Sequence, residues 1–403
     1  MVDKSRKVCY NNSIQSCAFS KGERTMNDSG EGLNIAMFGH KRIPSREGGV
    51  EIVVAELSTR MVALGHSVTC FNRSGHHVSG RDYDEKRADE YNGVRLKTVW
   101  TIDKKGLAAA TSSFAAAIHA AFGKYDVVHI HAEGPAFMCW LPKLFGKRIV
   151  VTVHGLDWAR KKWGKFASWY IRTGEKNAVK CADKIVVLSK EMQEYFLKTY
   201  GRDTVYIPNG VNKPEKKDAA EIEKLWGLHK DSYVLFLGRL VPEKGVHYLL
   251  EAWKSITTEK KLVITGGSSD TMDYIRTLKE KAGDDVLFTG FQQGRVLEEL
   301  YSNAYVYVMP SDLEGMPLSL MEAMSYGNCC LVSGIEECTQ VTGDHAVVFE
   351  KGNIRDLKEK LQDLIDHPDE VKRLRDTASE YVCEKYNWND VVKRTIDLYH
   401  ETG

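Results

Sequence analysis

Short apolar runs alternate with longer amphipathic segments along most of the chain, beginning at Leu33. This alternation predicts parallel β-sheets with crossover helices on both faces. The strands predicted in the first half are Leu33–Phe38, Ser67–Phe71, Val94–Val99, Asp126–Ile130, Ile149–Val153 and Lys184–Leu188. The helices predicted between them include Val50–Leu64, Leu107–Phe122 and Lys165–Val179. The first half is therefore expected to form one α/β domain.

A second series of the same kind follows a break in the pattern. The break is a charged stretch, residues 213–224, that lacks apolar periodicity and marks a domain boundary. The strands predicted after it are Tyr233–Leu237, Lys261–Thr265, Asp285–Thr289, Tyr305–Met309 and Asn328–Val332. We predict four parts, namely a polar extension (1–31), a first domain (32–205), a second domain (206–386) and a terminal amphipathic helix (387–403) that crosses back to the first domain.

Charge is divided unevenly between the two halves, although the 403 residues carry a formal net charge of only +1. Residues 1–205 contain 32 Lys and Arg against 21 Asp and Glu, and the remainder contains 24 against 34. We expect the basic half to meet an anionic partner, whereas the acidic half would make a poor nucleic-acid or membrane surface. The alternative is a chance scatter of solvated charges.

The cysteines and the apolar runs indicate where the protein works. Nine cysteines are scattered without CxxC or Cys/His ligand spacing, so neither a zinc site nor a disulfide framework is predicted. A reducing cytoplasm fits this usage best. No apolar run approaches the roughly 20 residues of a spanning helix, and no secretory leader is recognisable. We expect a cytoplasmic protein that is soluble or peripherally bound at the inner face of the plasma membrane.

The second domain begins with a buried strand that runs directly into a glycine and two cations. Its sequence is Val234-Leu-Phe-Leu-Gly-Arg-Leu-Val-Pro-Glu-Lys-Gly245, which places Arg239 and Lys244 at the carboxyl end of the strand. In open α/β sheets this edge binds ligands, and a guanidinium beside an ammonium can hold a diphosphate without a metal. The alternative is a surface loop with two solvated cations.

A second motif follows the strand predicted at Tyr305–Met309. It contains Glu314-Gly-Met-Pro-Leu318 and opens a helix near Pro317, where proline is expected in the first turn. Backbone N–H groups of Glu314, Gly315 and Met316 at this helix start suit hydroxyl or phosphate oxygens. Glu322, one to two turns later, can accept two hydrogen bonds from a vicinal diol such as ribose. Glu314 could also be no more than an acid that favours the helix dipole.

In this sequence GRLVPEKG is followed by EGMPLSLMEAMSYG, where seven residues separate Glu314 from Glu322. Together these motifs resemble the signature of family 4 retaining glycosyltransferases. The resemblance extends from about Leu33 to the C-terminus, and it implies a GT-B fold of two Rossmann-like domains facing each other across a cleft. It also implies that Arg239 and Lys244 bind the donor diphosphate and that Glu322 binds the nucleotide ribose. The loop with Glu314, Gly315, Met316, Pro317 and Leu318 would contact the transferred sugar.

The first domain offers two more segments at predicted strand ends. Gly48 and Gly49 precede a helix, where backbone can approach a phosphate closely; the glycine pair could also merely shape the turn. The family resemblance places the donor-facing glycine loop here. His154 and Asp157 follow a strand, so His154 could bind donor sugar or phosphate, and Asp157 could orient the acceptor hydroxyl or take its proton. Either residue could instead only fix its own loop.

Lysines and arginines mix with aromatic residues at near-helical spacing in residues 160–172, the segment after Asp157. Basic-aromatic helices can lie on anionic lipid interfaces, although aromatic stripes more often pack into a core. Single-stranded nucleic acid also uses such mixtures, but no nucleic-acid-binding module accompanies this one. We therefore expect an anionic membrane surface as a partner, and no nucleic acid.

The predicted function is retaining transfer of a glycosyl group from a nucleoside diphosphate sugar to a hydroxyl of a glycan or lipid-linked acceptor. Surface-polysaccharide assembly is the setting that the analogy favours. A nucleotide-sugar 2-epimerase of the same fold and a non-catalytic sugar-nucleotide-binding subunit remain alternatives. No cofactor or metal is expected, because Arg239 and Lys244 can neutralise the leaving diphosphate. The donor base and sugar stay open, since a carboxylate on ribose recognises neither.

Overall fold

The computed structural model describes residues 32–76, 88–104, 106–156, 158, 164–267 and 271–401. Within these ranges the chain forms two largely parallel β-sheets with helices packed against them, which confirms the predicted α/β class. Alternate residues of the strand Tyr233–Leu237 enter two different apolar clusters, so both faces of that sheet are covered. The near-continuous apolar strands of the sequence follow from this two-sided burial.

The first sheet has, within the described residues, eight strands in the order β3-β4-β2-β1-β5-β6-β7-β8. They are β1 (Asn34–Phe38), β2 (Ser67–Arg73), β3 (Glu90–Tyr91), β4 (Val94–Val99), β5 (Val127–His131), β6 (Arg148–Val153), β7 (Lys184–Val187) and β8 (Val205–Tyr206). The helices of this part are α1 (Gly49–Ala63), α2 (Leu107–Phe122), α3 (Glu133–Ala136), α4 (Trp140–Leu144), α5 (Lys165–Cys181) and α6 (Lys190–Tyr200). All neighbouring strands pair in parallel except β3 and β4.

The second sheet has six strands among the described residues, in the order β11-β10-β9-β12-β13-β14, and every pair is parallel. They are β9 (Tyr233–Leu237), β10 (Lys261–Thr265), β11 (Val286–Gly290), β12 (Val306–Met309), β13 (Cys329–Ser333) and β14 (Val347–Phe349). The helices are α7 (Glu221–Trp226), α8 (Val246–Trp253), α9 (Met272–Lys281), α10 (Gly294–Asn303), α11 (Leu318–Ser325), α12 (Glu336–Thr342), α13 (Ile354–Asp366), α14 (Pro368–Lys385) and α15 (Trp388–His400).

Helix α15 crosses back to the first sheet, as the sequence predicts. It packs against α1, and the Tyr399 hydroxyl lies 2.6 Å from Nδ1 of His129 on β5. Arg148 Nη2 of β6 donates to the Leu398 carbonyl oxygen over 3.0 Å. The helix therefore belongs to the first domain by its contacts, although it follows the whole second sheet in the chain.

The two connections between the sheets run side by side. The Val211 N–H donates to the Tyr386 carbonyl oxygen over 2.8 Å, and Val211 also bridges Asn387 in parallel fashion. Gly210 lies so close to Trp388 that a Cβ would overlap the indole ring. The outgoing and returning segments are thus packed against each other where the chain passes between the domains.

Candidate active site

Both sheets reverse their strand order at a point where the chain can form a crevice. In the second sheet the reversal falls between β9 and β12, and in the first it falls between β1 and β5. Parallel strands have their carboxyl ends at the same edge of a sheet. The loops after these four strands therefore lie at the carboxyl edges of the two sheets, beside the points of reversal. The predicted site segments of both domains are among these loops or beside them.

Lys244 and Glu314 form a close ion pair at the edge of the second sheet. Lys244 ends the 3-10 turn Pro242–Lys244 after β9, and its Nζ lies 2.5 and 2.7 Å from the two carboxylate oxygens of Glu314. The Ser311 hydroxyl adds a third donor at 2.7 Å. The two charged side chains are only 14% and 8% exposed, so the pair is largely withdrawn from solvent. Solvent therefore screens each of these two charges less than it screens charges at the protein surface.

Glu322 is held on α11 by two donors from different elements. The Tyr301 hydroxyl on α10 donates to its Oε2 over 3.2 Å, and Arg46 of the first domain forms an ion pair with its Oε1. Burial and the nearby Glu322 carboxylate raise the pKa of Tyr301 well above its usual value, so the phenol keeps the proton that it donates. A carboxylate offers about four acceptor sites, which leaves capacity for the two hydroxyls of a diol.

The two domains touch at Gly315. A Cβ on this residue would overlap the carbonyl oxygen of His154, and it would lie 3.5 Å from the Cα of Gly155. Next along the loop, the sulfur of Met316 accepts the Asn209 N–H over 3.0 Å. The loop predicted to contact the sugar therefore reaches the strand end that carries the predicted cleft histidine, and glycine is required for that approach.

The glycine pair of the first domain faces the same loop. Gly48 is extended and Gly49 begins α1, so the helix N-terminus with its free N–H groups lies at the domain junction. A Cβ on Gly49 would lie 3.3 Å from Cδ1 of Leu318, the first residue of α11. The N-termini of α1 and α11 therefore approach each other, and both present donors suited to an anion.

A row of histidines extends from His154 into the first domain. Nε2 of His154 lies 3.1 Å from Nδ1 of His131, whose ring stacks on His129 at a centroid distance of 4.2 Å. Burial, with a smaller contribution from His154, lowers the pKa of His129 to about 3, and burial also lowers the pKa of His131 well below its usual value. The rings of His129 and His131 are therefore neutral near pH 7, so His131 can either donate to or accept from His154.

The structure brings most of the predicted site residues together. Arg239 lies in the turn between β9 and Lys244, and Pro317 caps α11 beside Met316. Asp157 lies outside the described residues, and so do Lys161 and Lys162. Among the described residues, no group of three or more His, Cys, Asp or Glu is placed to hold a metal ion.

Two residues of this constellation are not predicted from the sequence. Arg46 precedes the glycine pair by two residues, and Tyr301 sits on an amphipathic helix where an aromatic residue predicts only core packing. The spacing of Arg46 from Gly48 is a signal that could have pointed to it. Its partner Glu322 is 276 residues away, so no local pattern could connect them.

Comparison with known proteins identifies the family. A model of Glycosyltransferase Family 4 matches residues 47–213, and a model of Glycosyl transferases group 1 matches residues 218–399. These two matches cover both domains, and the fold has the GT-B arrangement. The chain belongs to the group 1, family 4 glycosyltransferases and is a transferase.

Individual relatives resemble the chain over different lengths. An uncharacterized glycosyltransferase of Methanocaldococcus jannaschii is 26% identical over 91% of this chain and 98% of its own. The UDP-Gal:alpha-D-GlcNAc-diphosphoundecaprenol alpha-1,3-galactosyltransferase of Escherichia coli is 31% identical over 53% of this chain and 58% of its own. The crystal structure of Anabaena HepE in complex with UDP-glucose superimposes with a TM-score of 0.74 at 15% identity, covering 91% of this chain and 99% of HepE. That last likeness is one of fold.

Proposed function

We propose that this protein transfers a glycosyl group from a nucleoside diphosphate sugar to a hydroxyl of a glycan or lipid-linked glycan, with retention of the anomeric configuration. The observation that carries the proposal is the meeting of three features at one crevice. They are the Lys244–Glu314 pair, the Glu322 carboxylate, and the contact between Gly315 and the His154 strand end.

Each group has a proposed part along the donor. Glu322 accepts the ribose hydroxyls, and Arg239 and Lys244 face the diphosphate together with the N-terminus of α1 at Gly48–Gly49. Glu314 and the backbone of the following loop bind the sugar. His154 bonds the sugar or a phosphate oxygen, and Asp157 orients the acceptor hydroxyl or takes its proton.

Arg239 and Lys244 also take the place of a metal in this proposal. Negative charge accumulates on the diphosphate as its bond to the anomeric carbon breaks. Fixed cations in a closed cleft stabilise that charge more in the transition state than in the ground state, which is the condition for raising the rate. The reaction is therefore expected to proceed without a divalent cation.

Two relatives support the choice of substrates. Anabaena HepE was crystallised with UDP-glucose, and the Escherichia coli relative is named for a UDP-galactose donor and a diphosphoundecaprenol-linked acceptor. A sugar nucleotide and a glycan on a lipid carrier fit the crevice and the basic first domain proposed here. Surface-polysaccharide assembly in the cytoplasm, at the inner face of the plasma membrane, is the corresponding setting.

The donor test starts with nucleotide binding. UDP, GDP, dTDP and ADP are compared for their effect on the melting temperature, which rises by mass action when one binds the folded protein. The sugar nucleotides of the best base are then offered with acceptors, and NMR of the anomeric proton in the product reports the configuration. Retention is expected. An inverted product would contradict the retaining mechanism, epimer formation without acceptor would establish the epimerase, and binding without any turnover would establish the non-catalytic subunit.

We further propose that the first domain attaches to an anionic membrane. Among the described helices, none is long and apolar enough to cross a bilayer. Helices α2, α4 and α5 are neighbours, and they expose large apolar side chains beside lysines. These apolar residues are Phe122, Trp140, Leu144, Phe145, Phe166 and Trp169. Aromatic residues next to lysines suit an interface in which apolar groups enter the lipid and cations meet its headgroups.

Sedimentation with vesicles tests the membrane proposal. We expect binding to vesicles that contain anionic lipid, and weaker binding as salt rises, since each basic residue near the surface contributes about 1 kcal/mol. Two variants should each lose most of the vesicle binding. One is the triple variant Lys161→Glu, Lys162→Glu, Lys165→Glu, and the other is the double variant Phe166→Ser, Trp169→Ser. The control is Leu225→Ser, which removes an exposed apolar side chain from the acidic half. Sedimentation unchanged in the triple variant would refute the attachment.

A further inference from the structure

Arg46 reaches across the cleft from the first domain to the second. Its Nη2 forms an ion pair with Oε1 of Glu322, and the two side chains are 38% and 19% exposed. Arg46 lies in the segment between β1 and α1, two residues before Gly48. No motif in the sequence assigns it a part in the site.

Arg46 and Glu322 can both form further hydrogen bonds beyond the one that joins them. A guanidinium has five N–H donors in a planar fork, and Arg46 uses one nitrogen on Glu322. Within the described part of the chain, Glu322 is the hydrogen-bond partner of Arg46, so the remaining guanidinium donors are available to a ligand. Glu322 likewise keeps acceptor sites beyond those taken by Arg46 and Tyr301.

The surroundings indicate what those donors would meet. In the proposed donor pose the ribose lies on Glu322, and the α-phosphate is the next group along the nucleotide. The glycine turn at Gly48–Gly49 begins two residues after Arg46. This turn opens the N-terminus of α1, which lies against Leu318. The Arg46 guanidinium contacts Glu322, the carboxylate proposed to bind the ribose, and its backbone lies next to the glycine turn. It is therefore well placed to bind phosphate oxygens, because its fork of donors matches their geometry.

We propose that Arg46 is a donor-binding residue that holds the diphosphate from the first domain while one of its nitrogens stays on Glu322. This inference rests on the function proposed above, and it adds a third cation to Arg239 and Lys244. Because Arg46 comes from the opposite domain, the donor is bound from both walls of the cleft. Binding of the diphosphate then favours the apposition of the two domains.

The competing explanation is a surface ion pair that merely joins the domains. Partly exposed pairs of this kind contribute little to stability, and removing one would not discriminate between ligands that have phosphates and ligands that lack them. The two explanations therefore differ in a measurable ratio, namely the affinity for a nucleoside diphosphate relative to that for its nucleoside.

The experiment uses the full chain with Arg46→Ala, Arg46→Lys and the control Arg95→Ala, which removes an exposed arginine from β4 of the same domain. Calorimetry measures the Kd of whichever of UDP, GDP, dTDP and ADP binds the unmodified chain best, and competition measures the Kd of its nucleoside. Arg46→Ala should weaken diphosphate binding about tenfold or more, by analogy with the loss of a charged hydrogen bond, and change nucleoside binding less than about twofold. Arg46→Lys should recover part of the loss, because it keeps the charge and loses the fork.

Two results would overturn the inference. One is unchanged diphosphate binding in Arg46→Ala, and the other is an equal loss for diphosphate and nucleoside, which would mean that Arg46 only orients Glu322. Failure of the underlying function is visible separately, since the unmodified chain would then bind none of the four nucleotides and turn over none of their sugars. Melting temperatures of the variants show that each is folded.

Discussion

Replacing Lys244 by alanine is expected to lower the turnover rate at least a hundredfold, a cost of about 2.7 kcal/mol by comparison with the loss of one preorganised oxyanion donor. In the proposed mechanism the variant removes a cation from the leaving diphosphate, and in the structure it leaves the Glu314 carboxylate largely buried without its ammonium partner. Both changes oppose a negatively charged ligand, so nucleotide binding should weaken as well. Arg239→Ala should have an effect of the same order.

Three comparisons make this prediction specific. Lys254→Ala, which removes the lysine of an exposed pair with Glu251 on the neighbouring helix, should keep normal turnover. The double variant Lys244→Ala, Glu314→Gln separates the loss of the cation from the stranded carboxylate. EDTA should leave the unmodified enzyme active. Near-normal turnover in the double variant Arg239→Ala, Lys244→Ala would show that fixed cations do not stabilise the leaving group. Activity that EDTA abolishes and Mg²⁺ or Mn²⁺ restores would show the same.

The substitution Gly315→Ala is expected to reduce turnover about a hundredfold, the effect of misplacing reacting groups by about an ångström. An alanine Cβ would overlap the backbone carbonyl oxygen of His154, and backbone cannot move aside as a flexible side chain would. The loop of the second domain must then withdraw from the first, which takes His154 away from the proposed sugar site. Each domain keeps its own core, so the melting temperature should fall far less than the rate.

A glycine elsewhere in the first domain provides the control. A Cβ on Gly134 would lie 3.8 Å from Tyr170, an ordinary van der Waals contact, so Gly134→Ala should be nearly neutral. Steady-state kinetics of both variants, with circular dichroism during heating, separates lost geometry from lost stability. Full activity in Gly315→Ala would mean that the close approach of the two loops is not needed for catalysis.

The sheets could be predicted from sequence because buried parallel strands leave continuous apolar runs. Strands β4, β9 and β10 have the predicted ends, and β1 begins one residue later than predicted. Strands β3, β8 and β14 are not predicted; they have two or three residues and lie at sheet edges. An edge strand of that length is defined by its neighbour's hydrogen bonds, and its own residues carry no periodic signal.

The site divides in the same way between local and long-range features. Arg239, Lys244, Glu314 and Glu322 follow strands or open a helix, so motif and chain position are enough to place them at the sheet edge. Pairings across the cleft depend on how two separately folded sheets meet. The Arg46–Glu322 pair and the Gly315–His154 contact are of this kind, and they arise from tertiary packing that no window of sequence contains.

The route of α15 has a consequence for how the protein is made. The first domain is the first to leave the ribosome, yet its α1 face and the Tyr399 partner of His129 are completed only by residues synthesised after the whole second sheet. Until then, the apolar side chains that later share a core with α15, such as Met61, face water or a chaperone. Nascent chains stalled before residue 388 should therefore expose this face to proteases. Once α15 has left the ribosome it should cover the face, and the protease sensitivity should end.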